Sequence, residues 1–207
     1  MNDTQKVILN IVALVVIGVV IARLTLFELV VVDTNAMAPT LTYGDEVLVL
    51  TVGSPEMADI VICEHPVEPG VPVWGRIITF AGHTISTDRR GGLMVDGDRA
   101  NINVGGNFSF YDVLIDKELQ MEYGEVDYFG RHDHAYIRRK GEPLQLRATK
   151  VKSGAYLLAD NRSAWNEDSR RFGEVDLDTC IGTVFMRWKP APDHGDDVDH
   201  GYLELIR

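Results

Sequence analysis

The chain has 207 residues, of which 45% are hydrophobic and 25% charged, so its composition is that of a folded protein and excludes wholesale disorder. Its formal net charge of −11 repels phosphate backbones, and no basic stripe offsets this charge, so we expect no nucleic-acid partner. Two cysteines exclude a disulfide-dense scaffold and a four-cysteine zinc site.

The most apolar segment lies near the N-terminus, where residues 7–22 read VILNIVALVVIGVVIA. As a helix this run is roughly 24 Å long, close to the ~30 Å hydrocarbon core of a bilayer. Arg23 can reach the interface and apolar LTLF follows it, so the segment predicts one uncleaved transmembrane helix. One alternative is a cleaved signal peptide, whose small-x-small site, Ala36-Met37-Ala38, lies far beyond the apolar run. Another is a buried core helix, for which the lack of a polar face is unusual.

Charges on the two sides of this segment indicate its orientation. The terminal amine, Asp3 and Lys6 leave a small positive balance before it, and the acidic bulk of the chain follows. The positive-inside tendency therefore places the N-terminus in the cytoplasm. We expect a single-pass protein of the plasma (inner) membrane with an extracytoplasmic β domain, and we expect the lipid bilayer as a partner.

After residue 25 the sequence consists of short β-branched runs separated by glycine and proline. The runs that predict strands are LFELVVVDT, EVLVLTV, DIVICE, VWGRIITF, GLMVDG, GAYLLAD, CIGTVFMRW and YLELIR. Many short strands with frequent turns predict a mostly β domain of the sandwich or barrel-like kind. We expect a tail and anchor over 1–25, the β domain over 26–103 and 151–207, and an inserted subdomain or long excursion over polar residues 104–150. Residues 191–201 predict a solvated loop.

Five short stretches follow one another in the part of the chain after residue 33. The first is TNAMAPTL at residues 34–41, followed by Gly44-Asp45. The other stretches are ADIV at 58–61, GRIITFAGH at 75–83, LMVDG at 93–97, and Asp160-Asn161-Arg162 with Asp168-Ser169-Arg170 and Gly173-x-Val175. In this order they resemble the motifs of type I signal peptidases, the membrane-anchored serine proteases that remove signal peptides, and the first is similar to the family's Ser-x-Ser-Met-x-Pro-Thr-Leu box. The resemblance covers roughly residues 20–103 and 154–189. It implies an antiparallel β domain of coiled sheets, barrel-like, behind one transmembrane helix.

The resemblance also implies a chemistry, acyl transfer from a serine nucleophile to which a buried, neutral lysine acts as base. The serine position, just before the box methionine, holds Ala36, and the lysine position, just before the arginine, holds Gly75. Neither residue can attack a carbonyl or accept a proton. A third family position, a serine that holds the lysine amine, corresponds to Asn166, and the interval from Asp160 is one residue longer than usual.

Other positions of the family's site are kept. Thr34 stands where the family often has a hydroxyl that stabilises the oxyanion. Met37 and Pro39 would shape the turn that presents position 36. A buried network of ion pairs and hydrogen bonds is the simplest interpretation of the charged positions. The residues expected to brace the site are Arg76, Asp160, Asn166, Asp168 and Arg170.

The substitutions favour a natural non-catalytic homologue that binds signal peptides or preprotein segments in an extended groove, or that acts as an assembly factor. Two alternatives retain an active signal peptidase: an engineered serine-to-alanine change at position 36, or rearranged catalytic groups. A fourth interpretation is a structural membrane protein that keeps only the fold. For rearranged groups the candidate nucleophiles are Thr34, Thr40 and Ser86, and the candidate bases are His83, Lys140, Lys150 and Lys152.

Two smaller groups of residues are candidates for a metal site and for a disulfide. His132-Asp133-His134 has the composition of a metal site, but such residues in a polar loop are more typical of a solvated surface, so we predict no metal and no cofactor. Cys63 and Cys180 either form a disulfide or remain two separate buried thiols. No sequence feature indicates the oligomeric state.

Overall fold

The structure is a computed structural model that describes residues 2–127, 133–164, 167–193, 197–198 and 200–206. The predictions for His132 and Asn166 lie outside the described residues.

The apolar N-terminal segment forms helix α1, Asp3–Leu26. Asn2 caps the helix: its side chain accepts a hydrogen bond from the Gln5 N–H, and the Gln5 side chain accepts one from the Asn2 N–H. Every side chain from Thr4 to Val20 is exposed, so the alternative of a buried core helix is wrong. Among the described residues, no helix combines the length and the apolar content needed to cross a membrane.

The strands after α1 are short and form three sheets in which every ladder is antiparallel. The first sheet has seven strands: β1 (Phe27–Val31), β2 (Glu46–Leu50), β3 (Ile60–Glu64), β4 (Pro72–Phe80), β12 (Ala155–Leu158), β13 (Gly182–Lys189) and β14 (Glu204–Leu205). The second has four: β5 (Thr84–Thr87), β6 (Leu93–Val95), β7 (Asp98–Arg99) and β11 (Thr149–Lys150). The third has three: β8 (Asn101–Asp112), β9 (Lys117–Asp127) and β10 (Asp133–Arg139). The short helices are α2 (Ser169–Phe172) and a 3-10 turn, Leu177–Thr179.

The first sheet positions the residues of interest. Its order is β1-β2-β13-β3-β4-β12, with β14 paired to β13. Strands β1 and β12 stand at the two ends of this order and do not pair with each other, so the described strands form open sheets and the barrel-like closure is wrong. The mostly β, antiparallel architecture is confirmed.

The burial of each strand follows its sequence. Val47 and Val49 alternate with partly exposed residues in β2, as the EVLVLTV pattern predicts. Strand β4 is buried over seven consecutive residues because it lies between β3 and β12. By contrast, β8 is exposed over residues 103–107 and fully buries only Phe110, and its extended pairing with β9 was not predicted.

Cys63 at the end of β3 and Cys180 just before β13 form a disulfide. Strands β3 and β13 are paired neighbours, and their register brings Ile62 opposite Gly182. The structure therefore selects the disulfide from the two alternatives that the sequence leaves open.

Candidate functional site

Ala36, at the family's nucleophile position, lies in the segment that joins β1 to β2 and is only 1% exposed. Its N–H donates to Thr34 Oγ1 at 3.0 Å, and its carbonyl accepts a hydrogen bond from the Asn161 N–H at 2.8 Å. Its methyl group packs in a small cluster with Ala159 and Ala164. The backbone of residue 36 is therefore held from two sides, while its side chain offers only apolar contact.

Gly75, at the family's lysine position, lies in β4 opposite Val61 of β3. A β-carbon added to Gly75 would lie 2.8 Å from the β-carbon of Leu157 on β12, closer than such atoms approach in proteins. The Leu157 side chain thus occupies the space in which a lysine side chain at position 75 would begin. Position 75 thus lacks a base in the sequence, and the packing of Leu157 also leaves no space for one.

Thr34 has a partner that the sequence analysis missed. Its hydroxyl donates to Glu167 Oε2 at 2.5 Å while accepting the Ala36 N–H. An acyl-transfer site needs free hydrogen-bond donors where the oxyanion develops. Here the hydroxyl proton of Thr34 and the N–H of Ala36 are both directed at acceptors of the chain itself.

The first of the charged pairs expected to brace the site joins Arg76 and Asp160, and both side chains are fully buried. Arg76 donates through Nε to Asp160 Oδ1 at 2.9 Å and through Nη2 to Oδ2 at 2.6 Å. Thr40 donates to the same carboxylate at 2.7 Å, and Arg76 Nη1 donates to the Ala58 carbonyl at 2.6 Å. This bidentate geometry is the strong form of a charged hydrogen bond. The pair links β4 to the segment after β12.

The second charged pair joins Asp168 to Arg170, with Arg170 Nη2 2.8 Å from Asp168 Oδ2. Asp168 also caps helix α2 and accepts the Ala159 N–H at 3.0 Å. Since Ala159 packs against Ala36, Asp168 connects α2 to the nucleophile position. Asn166, the remaining residue expected to brace the site, lies outside the described residues.

Met37 and Pro39 occupy the turn that follows position 36. Met37 is fully buried and packs in the core with Leu41, and the Ala38–Pro39 peptide bond is cis. The turn is part of the folded domain, because the residues on both sides of it are buried.

The C-terminal segment lies against this turn. His200 Nε2 is 2.7 Å from the Pro39 carbonyl oxygen, and its Nδ1 is 3.2 Å from Asp45 Oδ2. The buried Arg187 contacts Asp45, and Asp197 accepts a hydrogen bond from the backbone of β8. Although burial raises the pKa of Asp45, the contact with His200 and two backbone N–H groups hold it below its ordinary value. The prediction of a solvated loop over 191–201 is therefore wrong for His200, whose side chain is only 10% exposed, whereas Asp197 is exposed although it is bonded to β8.

His134 is buried rather than solvent-facing, so that expectation is wrong as well. Its Nε2 lies 3.7 Å from Asp160 Oδ1. Burial, together with the positive charges of Arg76 and Arg162, lowers the pKa of His134 well below its ordinary value, so the imidazole is neutral at pH 7. No cluster of potential metal ligands occurs within the described part of the chain.

No candidate nucleophile from the sequence forms a hydrogen bond with a candidate base among the described residues, although Ser86 and Lys150 lie on the paired strands β5 and β11. The Thr40 hydroxyl donates to Asp160, and His83 contacts Asp96 on an exposed hairpin. Thr34 instead meets Glu167, which lies 133 positions further along the chain. The only sequence signal for Glu167 is its position just before the Asp168-Ser169-Arg170 motif.

A cavity of about 210 Å³ opens beside Ala36. Thr34 and Ala36 line one part of it, and residues 71–74 at the start of β4 line another. Trp74 joins the two parts, because its Nε1 donates to Asp33 Oδ1 at 2.8 Å. The remaining lining residues are His65, Glu68, Glu167 and Phe172.

Comparisons with known proteins agree with the motifs. The sequence profile described as "Signal peptidase, peptidase S26" matches residues 4–189. Signal peptidase I of Pseudomonas aeruginosa is 24% identical over 209 aligned positions, which cover 84% of this chain and 69% of that protein. Signal peptidase I of Pseudomonas fluorescens is 25% identical over 205 aligned positions, with the same coverage of 84% and 69%.

Proposed function

Since the chain belongs to the signal peptidase family, peptidase S26, we propose that it binds signal peptides or preprotein segments without cleaving them. The observation that carries the proposal is the state of the two catalytic positions. Ala36 has no nucleophilic atom, and Gly75 has no base and no space for one beside Leu157. Loss of the nucleophile alone in a comparable serine protease lowers turnover by about 10⁶, so background cleavage would be negligible.

The arrangement of hydrogen-bond donors supports the same proposal. A substrate carbonyl on its way to a tetrahedral intermediate needs donors that are aimed at its oxygen. The Thr34 hydroxyl is engaged by Glu167, and the Ala36 N–H is engaged by Thr34. A bound peptide would therefore meet a site whose donors are already satisfied.

The cavity beside Ala36 supports peptide binding. Both the segment that carries Thr34 and the start of β4 contribute residues to its lining. An extended peptide between such segments is held chiefly by main-chain hydrogen bonds, and this mode of binding needs neither a nucleophile nor a base.

A second candidate function is cleavage by rearranged groups, and the contact between Thr34 and Glu167 favours it. A hydroxyl that donates to a carboxylate at 2.5 Å has the geometry of a nucleophile beside a general base. Attack by Thr34 Oγ1 would, however, require the oxygen to give up the Ala36 N–H that it now accepts. We therefore place this function second.

We also propose that residues 1–25 attach the chain to the plasma (inner) membrane, with the N-terminus cytoplasmic and the β domain outside. The apolar side chains of α1 support this proposal, because they are exposed from Val7 to Val20 and contact no other part of the described chain that would bury them. The disulfide between Cys63 and Cys180 supports an extracytoplasmic location for the β domain, since disulfides persist in oxidising compartments.

The proposal is tested with the full chain in lipid nanodiscs and a preprotein whose signal peptide carries a photo-crosslinker near its C-terminal end. We expect crosslinks to residues 33–36 or 71–74, identified by mass spectrometry, and no cleaved product. An active signal peptidase I in the same assay is the positive control for cleavage.

The same assay separates the two candidate functions. Cleavage by the unmodified chain would show the proposal to be wrong. If Glu167→Gln and Thr34→Val each abolished that cleavage, the rearranged pair would be the catalyst. If both variants still cleaved, another nucleophile would have to be sought by acylation with an active-site-directed inhibitor.

A further inference from the structure

The cavity beside Ala36 carries negative charge that the chain does not neutralise. Glu68 and Glu167 both line it, and neither forms an ion pair with a Lys, Arg or His among the described residues. Thr34 occupies one hydrogen-bonding site of Glu167. A carboxylate has about four such sites, so Glu167 can accept further donors without losing that contact.

Three aromatic rings, those of His65, Trp74 and Phe172, also line the cavity, and contacts within the fold hold them in place. The rings of His65 and Phe172 meet edge to face, with their centroids 4.6 Å apart. The His65 Nδ1 accepts the N–H groups of Val67 and Glu68, which orients the ring. Trp74 is only 3% exposed and is held by its bond to Asp33.

These walls suit one kind of side chain. A cation is attracted to aromatic faces and to carboxylates, while the aliphatic stem of Lys or Arg packs against apolar surface. A small apolar side chain would leave both carboxylates without a positively charged partner. At about 210 Å³ the cavity is smaller than the ~300–1,000 Å³ of pockets for drug-sized ligands, which matches a single side chain of a bound strand.

We propose that this cavity selects peptide segments that present a Lys or Arg side chain beside Ala36, with Glu68 and Glu167 as the charged partners and Trp74 and Phe172 as the aromatic walls. The inference rests on the proposed function, because it assumes that a peptide lies between the segment of Thr34 and the start of β4. It adds the chemistry of the ligand: a basic segment rather than a uniformly small and apolar one.

The test measures binding of fluorescein-labelled peptides to the full chain in nanodiscs. The peptides correspond to the C-terminal end of a signal peptide, in which Lys, Gln or Glu replaces each position in turn. At the position that reaches the cavity we expect the Lys peptide to bind about tenfold more tightly than the Gln peptide, and the Glu peptide to bind most weakly. Higher ionic strength is expected to reduce this preference.

Variants assign the preference to the cavity. In the double variant Glu68→Gln, Glu167→Gln we expect the Lys and Gln peptides to bind within about twofold of each other. The matched control is the double variant Glu118→Gln, Glu125→Gln, the same loss of two charges on exposed residues of β9, which should retain the tenfold preference.

Two results would overturn the inference in different ways. If the Lys, Gln and Glu peptides bound equally well at every position, peptide binding would stand and the selectivity would be refuted. The selectivity would also be refuted if the double variant kept the preference for Lys. If no peptide bound at all, the proposed function would fail together with the inference.

Discussion

Gly75 and Leu157 share a space that holds only one side chain, because a β-carbon on Gly75 lies 2.8 Å from the β-carbon of Leu157. The backbone at Gly75 is not in the left-handed region, so alanine meets no conformational strain there and the obstacle is purely spatial. The two residues come from neighbouring strands, β4 and β12.

We expect Gly75→Ala to lower the free energy of unfolding by about 1–3 kcal/mol through overpacking. In a Leu157→Gly background the same change should cost little or become favourable, since no β-carbon of residue 157 then lies against the added methyl. Urea denaturation of the four proteins of this mutant cycle measures the coupling. Additive effects of the two changes would contradict the shared space.

Restoring the catalytic groups should require Leu157 to be reduced in size. We expect Ala36→Ser with Gly75→Lys to cleave a signal-peptide substrate no better than the unmodified chain, because Leu157 displaces the lysine side chain. Adding Leu157→Gly, which removes the obstructing β-carbon, should raise turnover at least about tenfold over that of the double variant, as the introduced amine gains access to the introduced hydroxyl. Cleavage is followed by mass spectrometry with Ala36→Ser, Leu157→Gly as the control without a base. Equal turnover with and without Leu157 would show that this side chain is no obstacle.

Removal of one partner of the buried pair of Arg76 and Asp160 should strongly lower the free energy of unfolding. Asp160→Asn leaves the guanidinium of Arg76 buried without its charge partner, which we expect to cost about 3–5 kcal/mol of unfolding free energy. The control is Glu46→Gln, which breaks the exposed pair with Lys189 and should change stability little. Chemical denaturation compares the two, and an equal effect of both changes would contradict the role of burial.

The buried imidazole of His134 should make the protein less stable as the pH falls below neutrality. Burial, Arg76 and Arg162 lower the pKa of His134 in the folded chain, whereas the unfolded chain titrates near the ordinary value of about 6.5. Below that value the unfolded chain takes up a proton that the folded chain does not bind, so the free energy of unfolding decreases by up to ~1.4 kcal/mol per pH unit.

In the variant His134→Gln, the free energy of unfolding should depend less steeply on pH between pH 7.5 and pH 5.5, because the contribution of His134 is gone. This expectation holds whatever the stability of the variant at pH 7.5. The control His83→Gln removes an exposed histidine and should keep the contribution of His134. Urea unfolding at several pH values gives the slopes. The interpretation fails if His134→Gln and the unmodified chain have the same slope.

The disulfide between Cys63 and Cys180 closes a loop across a sequence separation of 117 residues. Its loss should lower the free energy of unfolding by about 2–5 kcal/mol, largely because the unfolded chain gains freedom. Dithiothreitol should therefore lower the unfolding midpoint of the oxidised protein toward that of a Cys63→Ser, Cys180→Ser variant, which should itself be indifferent to the reagent. Two titratable thiols in protein purified from an oxidising compartment would contradict the pairing.

The strands that the sequence predicts well are those whose burial follows directly from their residue types. The EVLVLTV run becomes β2 with Val47 and Val49 inside, and the apolar VWGRIITF run becomes β4 in the middle of the sheet. Strands β8 and β9 were missed because their apolar residues are scattered among polar residues and glycines. Their few buried side chains, such as Phe110, Met121 and Val126, join core clusters once the two strands pair with each other.

The same distinction applies to the site. Motif positions identify Ala36 and Gly75 as the substituted residues, since each is fixed by adjacent residues in the sequence. The contact of Thr34 with Glu167, 133 positions away, and the packing of Leu157 on Gly75 depend on folding. Neither Glu167 nor Leu157 belongs to a pattern that marks it as special before the strands are assembled.

The hydrogen bonds of residue 36 come from its peptide groups, to Thr34 on one side and Asn161 on the other, and its methyl group adds only contact with Ala159 and Ala164. Folding therefore places no demand on its side chain beyond small size. A serine-to-alanine change at this position removes the nucleophile but no contact that the fold needs. Where cleavage is no longer under selection, the nucleophile can therefore be lost in one neutral mutation. The fold of the site can persist after its catalytic activity is lost, so a scaffold of this kind can evolve readily into a binding protein.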